Sequence, residues 1–209
     1  MSKPIVIAFS GGCFSGKTTA MEKLKETLEA RGHKVIMLSE LVREHKIESI
    51  DKLRENPSEY LAFQNSIISS KISAEVHLLS RGCSDIDIVL VDRAITDSLF
   101  YLLFYVDKKD LTERDLNVYW YLLSRVQSHV EYAFKHIYDA VIEFAPINKL
   151  CDDTVFRPQK IDVLKYIESI NISMLNRFAA NNVLNVVHWD LNRMSAESLI
   201  QDIIDRFVL

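Results

Sequence analysis

Residues 11–19, GGCFSGKTT, limit what this chain can become more than any other stretch. Gly11, four intervening residues and then Gly16-Lys17-Thr18 satisfy G-x-x-x-x-G-K-[ST] at every position. The flanks agree with the pattern. Ile5-Val6-Ile7-Ala8-Phe9 is a short apolar, β-branched run of the kind a buried parallel strand requires. After Lys17, Met21, Leu24 and Leu28 recur at helical spacing. Strand, glycine loop and helix together predict an anion cradle. Glycines let successive N–H groups turn inward, and the new helix adds unpaired N–H groups and the positive end of its dipole. Gly11, Gly12, Cys13, Phe14, Ser15, Gly16, Lys17, Thr18 and Thr19 are therefore the candidate triphosphate-binding residues. Lys17 brings a mobile charge to the outer phosphates, and the Thr18 hydroxyl suits a Mg²⁺ ion bridging them.

With 209 residues the chain is long enough for one α/β domain with a substantial core, expected to span 1–209. The net charge is −4 and the sequence pI is about 5.9. That balance gives no global pull toward nucleic acid or an anionic membrane. Cys13, Cys83 and Cys151 are odd in number and far apart, and match neither a disulfide framework nor a metal pattern. Free thiols in a reducing cytoplasm are the expectation. No apolar run approaches the ~20 residues of a membrane span.

Past the loop, Gly32 is expected to stop the first helix, and Lys34–Leu38 reads as a second strand. Glu40 follows it. In an open parallel sheet ligands gather at the carboxyl ends of strands, so Glu40 is a candidate proton acceptor, with Arg43 beside it for a phosphate. Pro57 opens a helix running from Tyr60 to Arg81 and ending at Gly82. On it Phe63 and Gln64 are candidates for stacking on and hydrogen-bonding a base. Ile86–Asp92 is an apolar strand that ends in a carboxylate, suited to the metal side of a phosphate site. Arg93 can grip a phosphate with two prongs, and its spacing from Asp97 and Tyr101 predicts one shared helical face.

Leu99–Val106 and Thr112–His136 read as helices. The second is rich in aromatics that would suit core packing or a homodimer, and its His129 and His136 read as ordinary surface or helix-end residues. Tyr138–Ala145 is a strand stopped by Pro146, and residues 147–160 have the makings of a lid that carries Arg157. A helix over 161–180, a strand over Val183–Trp189 and a helix over Ser195–Phe207, capped by Ser195, complete the chain.

GGCFSGKTT at 11–19, SELVR at 39–43, FQ at 63–64, VDRAITDSLFY at 91–101, YDAVIEFAP at 138–146 and DDTVFRP at 152–158, in that order, resemble the P-loop nucleoside and nucleotide kinases. The likeness is greatest to the small AAA-like ATPase and kinase group that includes ribosylnicotinamide kinase and phage nucleotide kinases, and extends to thymidylate kinases. It implies a three-layer α/β fold whose five-stranded parallel sheet runs 2-3-1-4-5, with ATP and Mg²⁺ at Gly11–Thr19. It also implies an acceptor held over Glu40, Arg43 and Arg93, and a lid bearing Arg157. Ala94 follows Asp92-Arg93, where thymidylate kinases usually carry an aromatic and deoxynucleoside kinases carry Glu-Arg-Ser. The acceptor is thus a small nucleoside or nucleotide of open identity. Two alternatives stand beside it: a phage-type kinase acting on a hydroxymethylated base in DNA, which the acidic pI disfavours, and an NTP-driven switch with no small-molecule acceptor.

Overall fold

The computed structural model describes residues 3–12, 15–38, 50–80, 85–106, 111–145, 185–190 and 193–208, together with residues 169, 173, 175–177 and 180. Five strands form one sheet: β1 (Ile5–Gly11), β2 (Val35–Leu38), β3 (Ile88–Asp92), β4 (Ala140–Phe144) and β5 (Asn185–Trp189). Their order is β2-β3-β1-β4-β5, and every pairing is parallel. The expected fold class is the one observed.

The strands read as apolar runs because helices cover both faces, so β3 and β4 are buried at every position. Alternation sorts the side chains. Ile7, Phe9, Leu90, Ile142 and Phe144 face a layer made by α1 (Lys17–Ala30) and α6 (Ala196–Phe207). Val6, Ala8, Val89, Val91 and Val141 face the opposite layer, made by α3 (Pro57–Ser80), α4 (Thr96–Tyr105) and α5 (Glu113–His136). Each fully buried Leu or Ile side chain on these faces contributes about 1.5–3 kcal/mol.

Local signals fix most helix starts. Thr112 and Asp115 form a capping box, each satisfying the other's backbone N–H, and Ser195 accepts from Ser198 N at 3.2 Å to open α6. Gly32 sits just past α1 with φ of 92°, and its N–H donates to Glu29 O. Two element bounds differ from the sequence reading. A short helix α2 (Ile50–Arg54) precedes α3. Helix α4 begins at Thr96 rather than Leu99. On α5, Tyr119 and Phe134 enter the core, whereas Trp120, Tyr121 and Tyr132 are exposed. Among the described residues no helix is long and apolar enough to cross a membrane.

Candidate active site

The central strand β1 delivers the glycine loop between the ends of β3 and β4, where parallel α/β sheets collect ligands. Gly11 carries φ of 131°, and a Cβ there would lie 2.5 Å from the carbonyl oxygen of Phe144. Only glycine meets both demands. Gly16, at φ of 81°, caps α1 with no side chain of its own, which leaves the first amides of the helix facing the loop.

The Lys17 side chain is buried and folds back over that loop. Its ammonium donates to Gly11 O at 3.0 Å, Gly12 O at 2.6 Å and Ser15 Oγ at 3.0 Å. Ser15 Oγ donates in turn to Gly12 O at 3.0 Å. A positive charge thus sits at the mouth of the cradle with three of its bonds to neutral oxygens, which are weaker acceptors than a charged oxyanion.

Thr18, on the first turn of α1, places Oγ1 3.4 Å from Asp92 Oδ2. Asp92 ends β3 beside Phe9 of β1, and its carboxylate is buried. A hydroxyl and a carboxylate are the hard oxygen donors that Mg²⁺ takes beside phosphates. Among the described residues no group of three or more His, Cys, Asp or Glu forms a cage for a metal. The pair therefore fits an ion held mainly by phosphate and water.

Arg93 follows with φ of 66°, and no other described non-glycine residue has positive φ. For a bulky side chain this is a strained conformation, of the kind that persists at functional sites. Its guanidinium lies 3.7 Å from Asp97 Oδ2 and 5.5 Å from the centroid of the Tyr101 ring. The three residues do meet, although Arg93 precedes the helix and reaches the others through the left-handed turn. Ser10, at the end of β1, donates to Asp97 Oδ1 at 2.5 Å. Burial pushes the Asp97 carboxyl above the usual aspartate range, against the opposing pull of Arg93 and Lys17.

Behind this turn lies a polar cluster that the sequence reading missed. Lys71 Nζ donates to the backbone oxygen of Asp92 at 3.0 Å and pairs with Glu75 Oε1 at 3.5 Å. Glu75, fully buried, also accepts from Tyr138 Oη at 2.5 Å and meets His129 Nε2 at 2.8 Å. His129, expected at the surface, is buried. A signal was present: Gln64, Ile68, Lys71, Glu75 and Leu78 form one helical stripe, and all five are buried.

On the other side of β1, a cavity of about 370 Å³ opens at the ends of β4 and β5, lined by Glu143, Asn176, His188, Trp189, Asp190 and Arg193 among others. His188 bridges Glu143, at 3.2 Å, and Asn176, at 3.0 Å. None of these residues was singled out in the sequence. Phe63 and Gln64 are buried on α3, Phe63 within the core layer. Cys13, Phe14, Glu40, Arg43 and the 147–160 segment with Arg157 lie outside the described residues.

A family model described as an AAA domain matches residues 6–190. The chain belongs to this AAA domain family. Among curated proteins none matches the sequence. Two solved structures of NadR share the fold of this AAA domain protein at 15% identity. One, in complex with NAD and AMP-PNP, has a TM-score of 0.67, covering 97% of this chain and 49% of its own. The other, in complex with NR, has a TM-score of 0.68, covering 99% and 52%. This AAA domain chain thus spans about half the length of the NadR chains it matches.

Proposed function

We propose that the chain is an ATP-dependent phosphotransferase of the P-loop kinase kind, moving the γ-phosphoryl of ATP to a small nucleoside or nucleotide. One observation carries the reading. The Thr18 hydroxyl and the Asp92 carboxylate stand 3.4 Å apart beside the Lys17 loop, so hard oxygen donors and a phosphate cradle share one end of the sheet. NadR, which has this fold, was crystallised with NAD and AMP-PNP and with NR, which supports a small-molecule acceptor over a switch.

Roles follow from chemistry. The loop amides and Lys17 hold the triphosphate tail, with Lys17 exchanging its carbonyl partners for phosphate oxygens. Thr18 and Asp92 would hold Mg²⁺, whose charge offsets that of the phosphates. Arg93 orients charge on the acceptor side, while Glu40 and Arg43 contact the acceptor and Arg157 closes over it from a lid at 147–160. The cavity at the ends of β4 and β5 suits a nucleobase, with Trp189 for stacking and Glu143 for an exocyclic amine. Most of the rate would come from positioning rather than from covalent steps.

The test is transfer from ATP across a panel of nucleosides and monophosphates with mass detection, alongside Lys17→Ala. A phosphorylated product formed by wild type and lost in the variant is expected. Slow hydrolysis with no product from any acceptor overturns the reading. Salt-sensitive binding and phosphorylation of DNA favours the base-modifying alternative.

A further inference from the structure

The turn 92–95 is fastened at both ends to a single buried carboxylate. At one end Lys71 donates to Asp92 O at 3.0 Å, and Lys71 pairs with Glu75 at 3.5 Å. At the other end Ile95 N donates to Tyr138 Oη at 3.2 Å, and Tyr138 donates to Glu75 Oε1 at 2.5 Å. Between those two anchors lies Arg93 with its φ of 66°. Ala94 N adds a bond to Phe9 O at 3.2 Å, tying the middle of the turn to β1. His129, at 2.8 Å from Glu75 Oε2, takes the second carboxylate oxygen and fixes the plane of that group.

A Lys–Glu pair sunk in an apolar layer loses more in desolvation than it commonly regains, so its presence in the core calls for a purpose. Satisfying each other would not require either group to reach the backbone of the turn. Both arms of this network end there, on the carbonyl before Arg93 and on an amide two residues after it.

We propose that Lys71, Glu75 and Tyr138 are positioning residues that brace the left-handed turn at Arg93, and so aim both Asp92 and Arg93 at the phosphoryl-transfer site. The inference rests on the kinase reading only for its catalytic consequence. Without the brace, Arg93 relaxes toward negative φ. Its guanidinium then leaves Asp97 and Tyr101, and the Asp92 carboxylate loses its register with Thr18. The same elements pack around Glu75 from three sides: Lys71 from α3, His129 from α5 and Tyr138 from the entry to β4.

The test compares wild type with Lys71→Met, Lys71→Arg and Tyr138→Phe, each confirmed folded by circular dichroism. Tyr138→Phe deletes a single oxygen, so it carries the test should Lys71→Met fail to fold. Amide hydrogen exchange is read at residues 93–95, together with ADP affinity and with kcat and KM for the best acceptor. In Lys71→Met and Tyr138→Phe the amides of Arg93–Ile95 are expected to exchange at least about tenfold faster. ADP affinity measured without Mg²⁺ should stay within about twofold, because the phosphate loop is untouched, while kcat falls at least about tenfold through misplacement. Lys71→Arg, which keeps the charge and the donor, should recover most of kcat. Unchanged exchange at 93–95 in folded variants overturns the brace. So does faster exchange with kcat intact, because the turn would then not serve the reaction. A wild-type protein with no transferase activity, whose variants still lose amide protection, overturns the kinase reading and leaves the brace standing.

Discussion

Thr18 on α1 and Asp92 at the tip of β3 face each other at 3.4 Å, Oγ1 to Oδ2, although 73 residues of chain separate them. Two elements from different parts of the sequence thus converge beside the Lys17 ammonium. Removing either charge should have separable effects. Lys17→Ala loses charge-assisted bonds of about 1.5–3 kcal/mol each, so nucleotide affinity should drop at least about tenfold with or without Mg²⁺. Asp92→Asn should leave metal-free ATP binding near wild type and abolish most of the gain that Mg²⁺ brings. Calorimetric titration of ATP with and without Mg²⁺ distinguishes the two.

Gly11 admits no side chain. Alanine there meets the Phe144 carbonyl at 2.5 Å and must also hold φ of 131°. Backbone strain and overpacking together should cost about 2–4 kcal/mol. For a chain of this size that lowers Tm by about 5–15 °C. A Gly11→Ala protein melting with wild type would mean that β4 moves aside freely.

Arg93 offers an internal control for strain. Arg93→Ala and Arg93→Gly both remove the guanidinium beside Asp97, but only glycine adopts φ of 66° without penalty. The glycine variant should be more stable than the alanine variant by about 1 kcal/mol in denaturant melts, the reverse of their usual order. Equal stabilities would show that the turn relaxes once the side chain is gone.

Two aspartates should shift stability with pH in opposite directions. Asp115 is held below the usual carboxylate range by hydrogen bonds from Ser58 and Thr112. Its contribution is complete above the unfolded pKa and is lost as pH falls through the lower folded value. Asp115→Asn should therefore be less stable than wild type at neutral pH and match it in acid. Asp97 is raised by burial, so its folded form favours the proton. Its contribution is complete below the unfolded pKa and is lost as pH rises through the folded one. Asp97→Asn, with no charge to bury, should compare best with wild type at neutral pH and lose that advantage in acid. Thermal melts from pH 3 to 8 check both.

Local chemistry was legible in the sequence and distant chemistry was not. The glycine loop, the apolar strand ending in Asp92 and the Ser195 cap each rest on a few adjacent residues, so spacing alone reveals them. Lys71 and Glu75 escaped because a charged pair at i, i+4 reads as a solvated helix face. What buries it is α5, more than forty residues onward. The burial of His129 is hidden in the sequence for the same reason, since its partner lies on another helix. The spacing of Arg93, Asp97 and Tyr101 predicts one helical face, and the three do come together. They meet through a left-handed turn that no periodicity encodes. The start of α4 shifted to Thr96 because that turn finishes earlier than the apolar run suggests.

The chain carries two tryptophans, and their surroundings differ sharply: Trp120 is 54% exposed on α5, and Trp189 is 6% exposed against the β4–β5 cavity. The molecule therefore contains its own optical gauge. An aqueous quencher such as iodide silences the outer indole, and the remaining emission reports only on what enters the cleft beside the inner one.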